Sequence, residues 1–245
     1  STPLYSSAAS DVYKRQSYSG GGAQYWQVAT DNDIVLVNSA GNGLYINGSM
    51  NYDYALDPGI WATQVDNNGD LVLGGKMIIV GNWGGTKEDG QVVGSKAGHV
   101  CLDIVENKCN DKYQVKDFYI LAPGNEVYSS VAGDGYSKFS GSSMSAPMVT
   151  GAIGILHQMW PHMKGENLVK LVMNTADKNL PNYKVNIHGQ GLLDLNEATK
   201  PQGAVGIVTT GRVDHPVVSL NNTYYSTGTT CWRAASSRTC TACPF

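Results

Sequence analysis

The residues of this chain best placed to do chemistry form a heptapeptide, Gly141-Ser142-Ser143-Met144-Ser145-Ala146-Pro147, which opens an apolar run extending to Trp160. Gly141 allows a sharp turn immediately before the hydroxyls. Ser142 is the expected N-cap of a long helix that Pro161 ends. Pro147 falls in the early turns of that helix, where a missing backbone N–H does least harm. The N–H groups and positive dipole end at a helix N-terminus stabilise negative charge developing beside a serine, the kind of charge that acyl transfer produces. An ordinary Ser-rich helix cap accounts for the same seven residues. The strand-to-helix elbow G-x-S-x-G would require glycine where Ser145 stands.

The elements that would carry such a helix are those of an α/β domain. The run Asp33-Ile34-Val35-Leu36-Val37-Asn38 reads as a buried parallel strand that leaves its sheet through Ser39-Ala40-Gly41-Asn42-Gly43, and Lys76 to Gly81 repeats the pattern. On local grounds Asn42-Gly43 is simply a turn after a strand. Between the two runs, Val65 and Leu73 flank Asp66-Asn67-Asn68-Gly69-Asp70. Asn68-Gly69 predicts a hairpin, and the D-x-N-x-D spacing, which hints at calcium, fails because Leu71 stands where an EF-hand-type loop needs glycine. Tyr119-Ile120-Leu121 predicts a third strand ending in Ala122-Pro123-Gly124. A second helix over Gly165 to Ala176 puts Leu168, Leu171, Val172 and Thr175 on one face. Strands separated by helices indicate a largely parallel sheet.

Four segments, in order, resemble the motifs of the subtilisin-like serine proteases, the subtilases. Gly141-Ser142-Ser143-Met144-Ser145-Ala146-Pro147 resembles the nucleophile motif G-T-S-M-A/S-x-P, with Val149 and Gly151 continuing the match. Ala122-Pro123-Gly124 is similar to the A-P-G that precedes it. Ser39-Ala40-Gly41-Asn42-Gly43 is similar to the A-A-G-N segment, and Gly189-Gln190-Gly191-Leu192-Leu193-Asp194-Leu195 to the sequence that closes the domain. The resemblance implies a subtilisin-like three-layer α/β fold with a mostly parallel sheet, truncated at its N-terminus. It implies Ser143 as acylated nucleophile, Asn42 as side-chain donor to the oxyanion with the Ser143 N–H as second donor, and substrate contacts from Ser39, Ala40, Gly41 and Ser142. It implies a protein or peptide substrate and assigns no cofactor or metal.

Two departures stand out. Met148 replaces a histidine common after the proline, which alters packing only. More consequentially, no D-T/S-G or H-G-T/H motif precedes Asn42, although the triad runs Asp, His, Ser along the chain in this family. His99, His157, His162, His188 and His215 all follow Asn42, in contexts that read as structural or exposed. Without a base a serine near neutral pH is a poor nucleophile, so the chain as it stands is expected to be close to inert. A non-catalytic adhesion or binding module on the same scaffold is the rival expectation. Chance matches in an unrelated surface protein would instead leave Asn42 and Ser143 far apart.

Composition is consistent with an exported protein. Of 245 residues 42% are hydrophobic, enough for a large core, and 15% charged, with 29 glycines. A net charge of −3 without basic clustering argues against nucleic acid as partner. The apolar stretch from Met144 to Trp160 is short for a bilayer span and is interrupted by polar and glycine residues. Ser1 begins no signal peptide, so the native start is expected upstream. Residues 1–16 read as a disordered or non-native leader, 17–199 as the partial catalytic domain, 200–228 as the start of a β-rich stalk or linker, and 229–245 as a disordered or non-native tail. Cys101 and Cys109 would close a small disulfide loop in an oxidising compartment, or else remain two thiols. Cys231, Cys240 and Cys243 make a poor zinc set. Cys101 and Cys109, the long insertion between Asn42 and Lys76, and Lys200-Pro201-Gln202-Gly203-Ala204-Val205-Gly206 look most like subtilase passengers of Gram-negative autotransporters, where an outer-membrane barrel would belong to the full-length chain only.

Overall fold

Along three neighbouring strands of this chain, successive side chains enter two different cores. Val35 and Val37, Ile78 and Val80, Ile120 and Ala122 belong to one cluster, while Ala40, Met77 and Ile79, and Tyr119 and Leu121 belong to the other. This period of two is what a sheet covered on both faces requires. The computed structural model describes residues 5–6, 22–46, 49–51, 56–98 and 112–202. Cys101 and Cys109, the C-terminal cysteines, and most of the leader, stalk and tail segments lie outside the described residues.

The elements run β1 (Tyr5–Ser6), α1 (Gly22–Asp31), β2 (Leu36–Ser39), β3 (Leu44–Ile46), β4 (Ser49–Asn51), α2 (Leu56–Thr63), β5 (Met77–Gly84), β6 (Gln91–Val93), β7 (Tyr119–Pro123), β8 (Val127–Val131), β9 (Gly135–Phe139), α3 (Ser142–Met159), α4 (Gly165–Thr175), α5 (Val185–His188) and α6 (Leu195–Ala198). The main sheet is parallel in β1, β2, β5 and β7, with β5 central. Leu36↔Met77 and Ser39↔Val80 set the β2 register, and Ile79↔Tyr119 and Asn82↔Ala122 the β7 register. The short β6 pairs antiparallel with the end of β5. Hairpins β3–β4 and β8–β9 stand apart from this sheet. Helices α3 and α4 share the first core, and residues of α1 and α2 join the second through Trp26, Trp61 and Ala62. The result is the expected three-layer α/β arrangement.

The expected hairpin between the apolar runs forms, with Val65 bridging Leu71 and Asp70 accepting from the Asp66 N–H at 2.8 Å. The Asp66 carboxylate accepts the backbone N–H groups of Asn68 (2.8 Å) and Asp70 (3.0 Å), and these bonds hold its pKa below the usual carboxylate value. It thus closes the turn.

Two expectations are corrected. Asp33 does not begin the first strand: it turns at φ 62°, its carboxylate accepts the Gly165 N–H at 3.1 Å and lies 3.3 Å from the Lys76 ammonium, and β2 starts only at Leu36. It supplies the side-chain acceptor at the start of α4, which Lys164 at the N-cap position lacks. Nor is Ser142 an N-cap. Gly141 holds that position at φ 150°, and Ser142 is the first residue of α3.

The closing motif acts as a splint on β7. Gln190 N–H donates to Tyr119 O, Leu121 N–H to Gly191 O and Leu193 N–H to Leu121 O, all at 2.8 Å. Gly189 sits at φ 58°, and a Cβ there would lie 2.3 Å from Tyr119 O, a backbone atom that cannot yield. Gly189→Ala is therefore expected to cost about 2–4 kcal/mol of unfolding free energy, from backbone strain plus overpacking, as measured by urea denaturation.

Candidate active site

The two chemical motifs meet where the parallel strands end. The Ala40 N–H makes the last ladder bond of β2, to Val80 O at 2.8 Å, and Gly41 then turns at φ 100°, carrying Asn42 out to the surface. From the other side, β7 delivers Gly124, whose carbonyl accepts the Gly141 N–H at 2.8 Å. This bond ties the A-P-G turn to the residue that starts α3. Brought together in this way, Asn42 Oδ1 accepts the Ser142 N–H at 2.9 Å and the Ser142 hydroxyl at 3.1 Å, while the Gly41 N–H donates to Ser142 Oγ at 3.2 Å. Asn42, a hundred residues upstream, thus caps α3.

That contact orients the carboxamide. A backbone N–H can only donate, so the atom facing Ser142 must be the oxygen, which turns Nδ2 away from Ser142. Asn42 itself is exposed. Ser143, the next residue on α3, is half-buried in the helix's first turn, which carries no acidic side chain to offset the dipole's positive end. Gly141 makes the close approach possible: a Cβ there would lie 3.0 Å from Asn42 Oδ1.

The remaining site residues take different positions. Ser142 is fully buried, with its hydroxyl engaged by Gly41 and Asn42, so it braces the site and is not exposed to a ligand. Ser39 and Ala40 are both 4% exposed and lie on opposite faces of the sheet, so what Ser39, Ala40 and Gly41 can offer a ligand is backbone. Met148 is exposed.

The described histidines lie elsewhere. His157 is fourteen residues along α3 from Ser143, about 21 Å at the helical rise. His162 is exposed beyond the end of α3. His188 is buried against Trp83 and Tyr183, whose rings belong to the core on the other face of the sheet. Its Nδ1 bonds the Lys184 backbone, and desolvation lowers its pKa below the ordinary value, keeping the ring neutral. Among the described residues no group of histidine, cysteine and carboxylate side chains could hold a metal ion.

The subtilase family model matches residues 5–191. This chain belongs to the subtilase family. Subtilisin-like protease 1 of Plasmodium berghei is 30% identical over 160 residues, covering 62% of this chain and 21% of that protein. Alkaline elastase YaB of a Bacillus species is 37% identical over 81 residues, covering 33% of this subtilase and 21% of the elastase. The chain therefore spans about a fifth of the length of these relatives. Prenylagaramide maturation protease PagA shares the fold with a TM-score of 0.50 at 15% identity, covering 71% of this chain and 53% of its own. An α/β subtilase fold is thus established.

Hairpin β8–β9, which lies between the A-P-G turn and Ser143, was not anticipated. Its Tyr128 and Tyr136 rings stack at 5.3 Å and are both about two-thirds exposed. The Gly133-Asp134-Gly135 turn flanked by aromatic residues was the available signal.

Proposed function

We propose that this chain carries the nucleophile and oxyanion part of a subtilase endopeptidase site. Ser143 Oγ attacks the scissile carbonyl carbon of an extended peptide, its proton passes to a base and from there to the leaving nitrogen, and the C–N bond breaks as the acyl-enzyme forms. The oxyanion is met by Asn42 Nδ2 and the Ser143 backbone N–H. The observation that carries this reading is the 2.9 Å bond from the Ser142 N–H to Asn42 Oδ1, which brings the two motifs together and leaves the amide's donor end turned away from Ser142.

Attack also requires a base and its orienting carboxylate. The sequence has neither motif before Asn42, and His157, His162 and His188 lie away from the first turn of α3. The chain by itself is accordingly close to inert, and hydrolysis would need an Asp and a His beyond the residues it carries. The same missing motifs favour the second reading, a binding module on a subtilase scaffold. Cell-surface display or release, as the passenger of an outer-membrane barrel, is part of the proposal and is supported by the likeness of Cys101 and Cys109, the insertion between Asn42 and Lys76 and the 200–206 segment to such passengers. Among the described residues no helix is long and apolar enough to cross a membrane.

Reaction of the full-length protein with a fluorophosphonate, followed by peptide mapping, tests the assignment. The adduct is expected on Ser143. An adduct on Ser142 or Ser145, or none at all, refutes the nucleophile assignment, and its complete absence favours the binding module.

A further inference from the structure

Two side chains buried in the sheet carry polar atoms that meet no partner among the described residues. Asn82 is 1% exposed with both Oδ1 and Nδ2 unpaired, and Ser39 is 4% exposed with Oγ unpaired. Both extend the rows of side chains that face α3. Residue 82 follows Ile78 and Val80 along β5, and residue 39 follows Val35 and Val37 along β2. Ser39 is in register with Val80, so Asn82 lies one diagonal step from it on the same face.

The first turn of α3 lies over them. A Cβ on Gly124 would stand 2.7 Å from Asn82 Oδ1, 2.0 Å from Ser145 Oγ and 2.7 Å from Gly141 O, which places the carboxamide against the A-P-G turn and the start of the helix. Ser145 Oγ donates to Ala122 O at 2.9 Å and keeps lone pairs to offer. Asn82, Ser145 and the Gly141 carbonyl therefore converge beneath the residues that hold Asn42 in place, with Ser39 one diagonal step from Asn82 on the same face.

A strand of Met, Ile and Val would accept an aliphatic residue at position 82 without penalty, whereas a dry carboxamide there forfeits its hydrogen bonds to water. Buried polar groups that lack protein partners are met by ordered water, and an internal water needs two to four of them. We propose that Asn82 and Ser39 hold an internal water beneath the first turn of α3, and that Asn82 acts through it as the positioning residue of the Gly141–Ser142 turn. The amide offers a donor and an acceptor in one plane, which lets it orient the water as well as bind it. This inference goes beyond the protease reading and does not depend on Ser143 being a nucleophile.

The test uses this chain. A crystal structure at a resolution that shows solvent is expected to hold a water within hydrogen-bonding distance of both Asn82 and Ser39 Oγ. No density there, or an Asn82 amide paired instead with a protein group, overturns the site. Amide hydrogen exchange then reads its effect. Asn82→Leu keeps the size and removes both hydrogen-bonding ends, so the Ser142 N–H should exchange about tenfold faster while Leu171 and Val172 in α4 stay unchanged. A loss of general stability would move all three together and overturn the positioning role. A dry site predicts the opposite, a higher melting temperature for Asn82→Leu with Ser142 unaffected. Should that variant not fold, Ser39→Ala gives the same readout with a smaller change in the same direction, and no change at Ser142 counts against the proposal.

Discussion

In a full-length protein that includes the Asp and His of its triad, Ser143→Ala is expected to lower peptide hydrolysis by about 10⁶-fold, a magnitude known from loss of the nucleophile in a subtilisin. The whole of the covalent route passes through Ser143 Oγ, and alanine offers no atom to bond the carbonyl carbon. What survives is the help that oxyanion donors and substrate binding give to attack by water. Two neighbouring hydroxyls make the experiment informative, because Ser142 and Ser145 lie in the same turn but are fully buried. Ser142 Oγ is held by Gly41 and Asn42, and Ser145 Oγ by Ala122 O. Ser142→Ala removes one neutral brace and is expected to stay within about tenfold of the parent. Initial rates on a chromogenic peptide measure both. If Ser143→Ala retains activity, the chemistry belongs to another residue.

The second large effect is at Asn42. Asn42→Ala should reduce kcat by about 10²–10³-fold, equivalent to about 2.7–4 kcal/mol, with KM little changed, because the lost donor serves charge that appears in the transition state. That figure also comes from the corresponding loss in a subtilisin. Here the variant additionally removes the acceptor of the Ser142 N–H, so some of the loss reflects a loosened helix start. Asn42→Asp separates the two contributions. It keeps an oxygen for Ser142 and removes the amide donor, so it should lose kcat as alanine does while leaving Ser142 exchange protected. Recovery of kcat in Asn42→Asp would mean that Asn42 acts only as a cap.

Local patterns carried much of the fold. The apolar runs at 33–38, 76–81 and 119–121 became β2, β5 and β7, with the first start shifted to Leu36. Leu168, Leu171, Val172 and Thr175 are buried on α4 as their spacing requires. The misreadings share one cause. Ser142 has the side chain of an N-cap and Asp33 heads an apolar run, yet the helix ends are served from far away: Asn42 caps α3 and Asp33 caps α4. A capping preference is a statement about neighbours in sequence, and it loses whenever the fold brings a better-placed acceptor to the same N–H. The β8–β9 hairpin leaves little mark in the sequence because Val127–Val131 and Gly135–Phe139 show no apolar–polar alternation and bury neither face.

The order of four short motifs was enough to name a family and to nominate Ser143 and Asn42, since each motif records a local backbone requirement visible in residue type. Gly141 and Gly189 are needed for their positive φ, and the polar residues stand where strands end. Which end of the Asn42 amide faces Ser142, that Ser142 is a brace, and that Asn82 and Ser39 carry buried polar atoms without a partner among the described residues could be learned only from the folded chain. Those facts depend on strand register and helix placement, which bring together groups separated by 100 residues for Asn42 and Ser142, and side-chain pattern along one strand has no access to distances across the sheet.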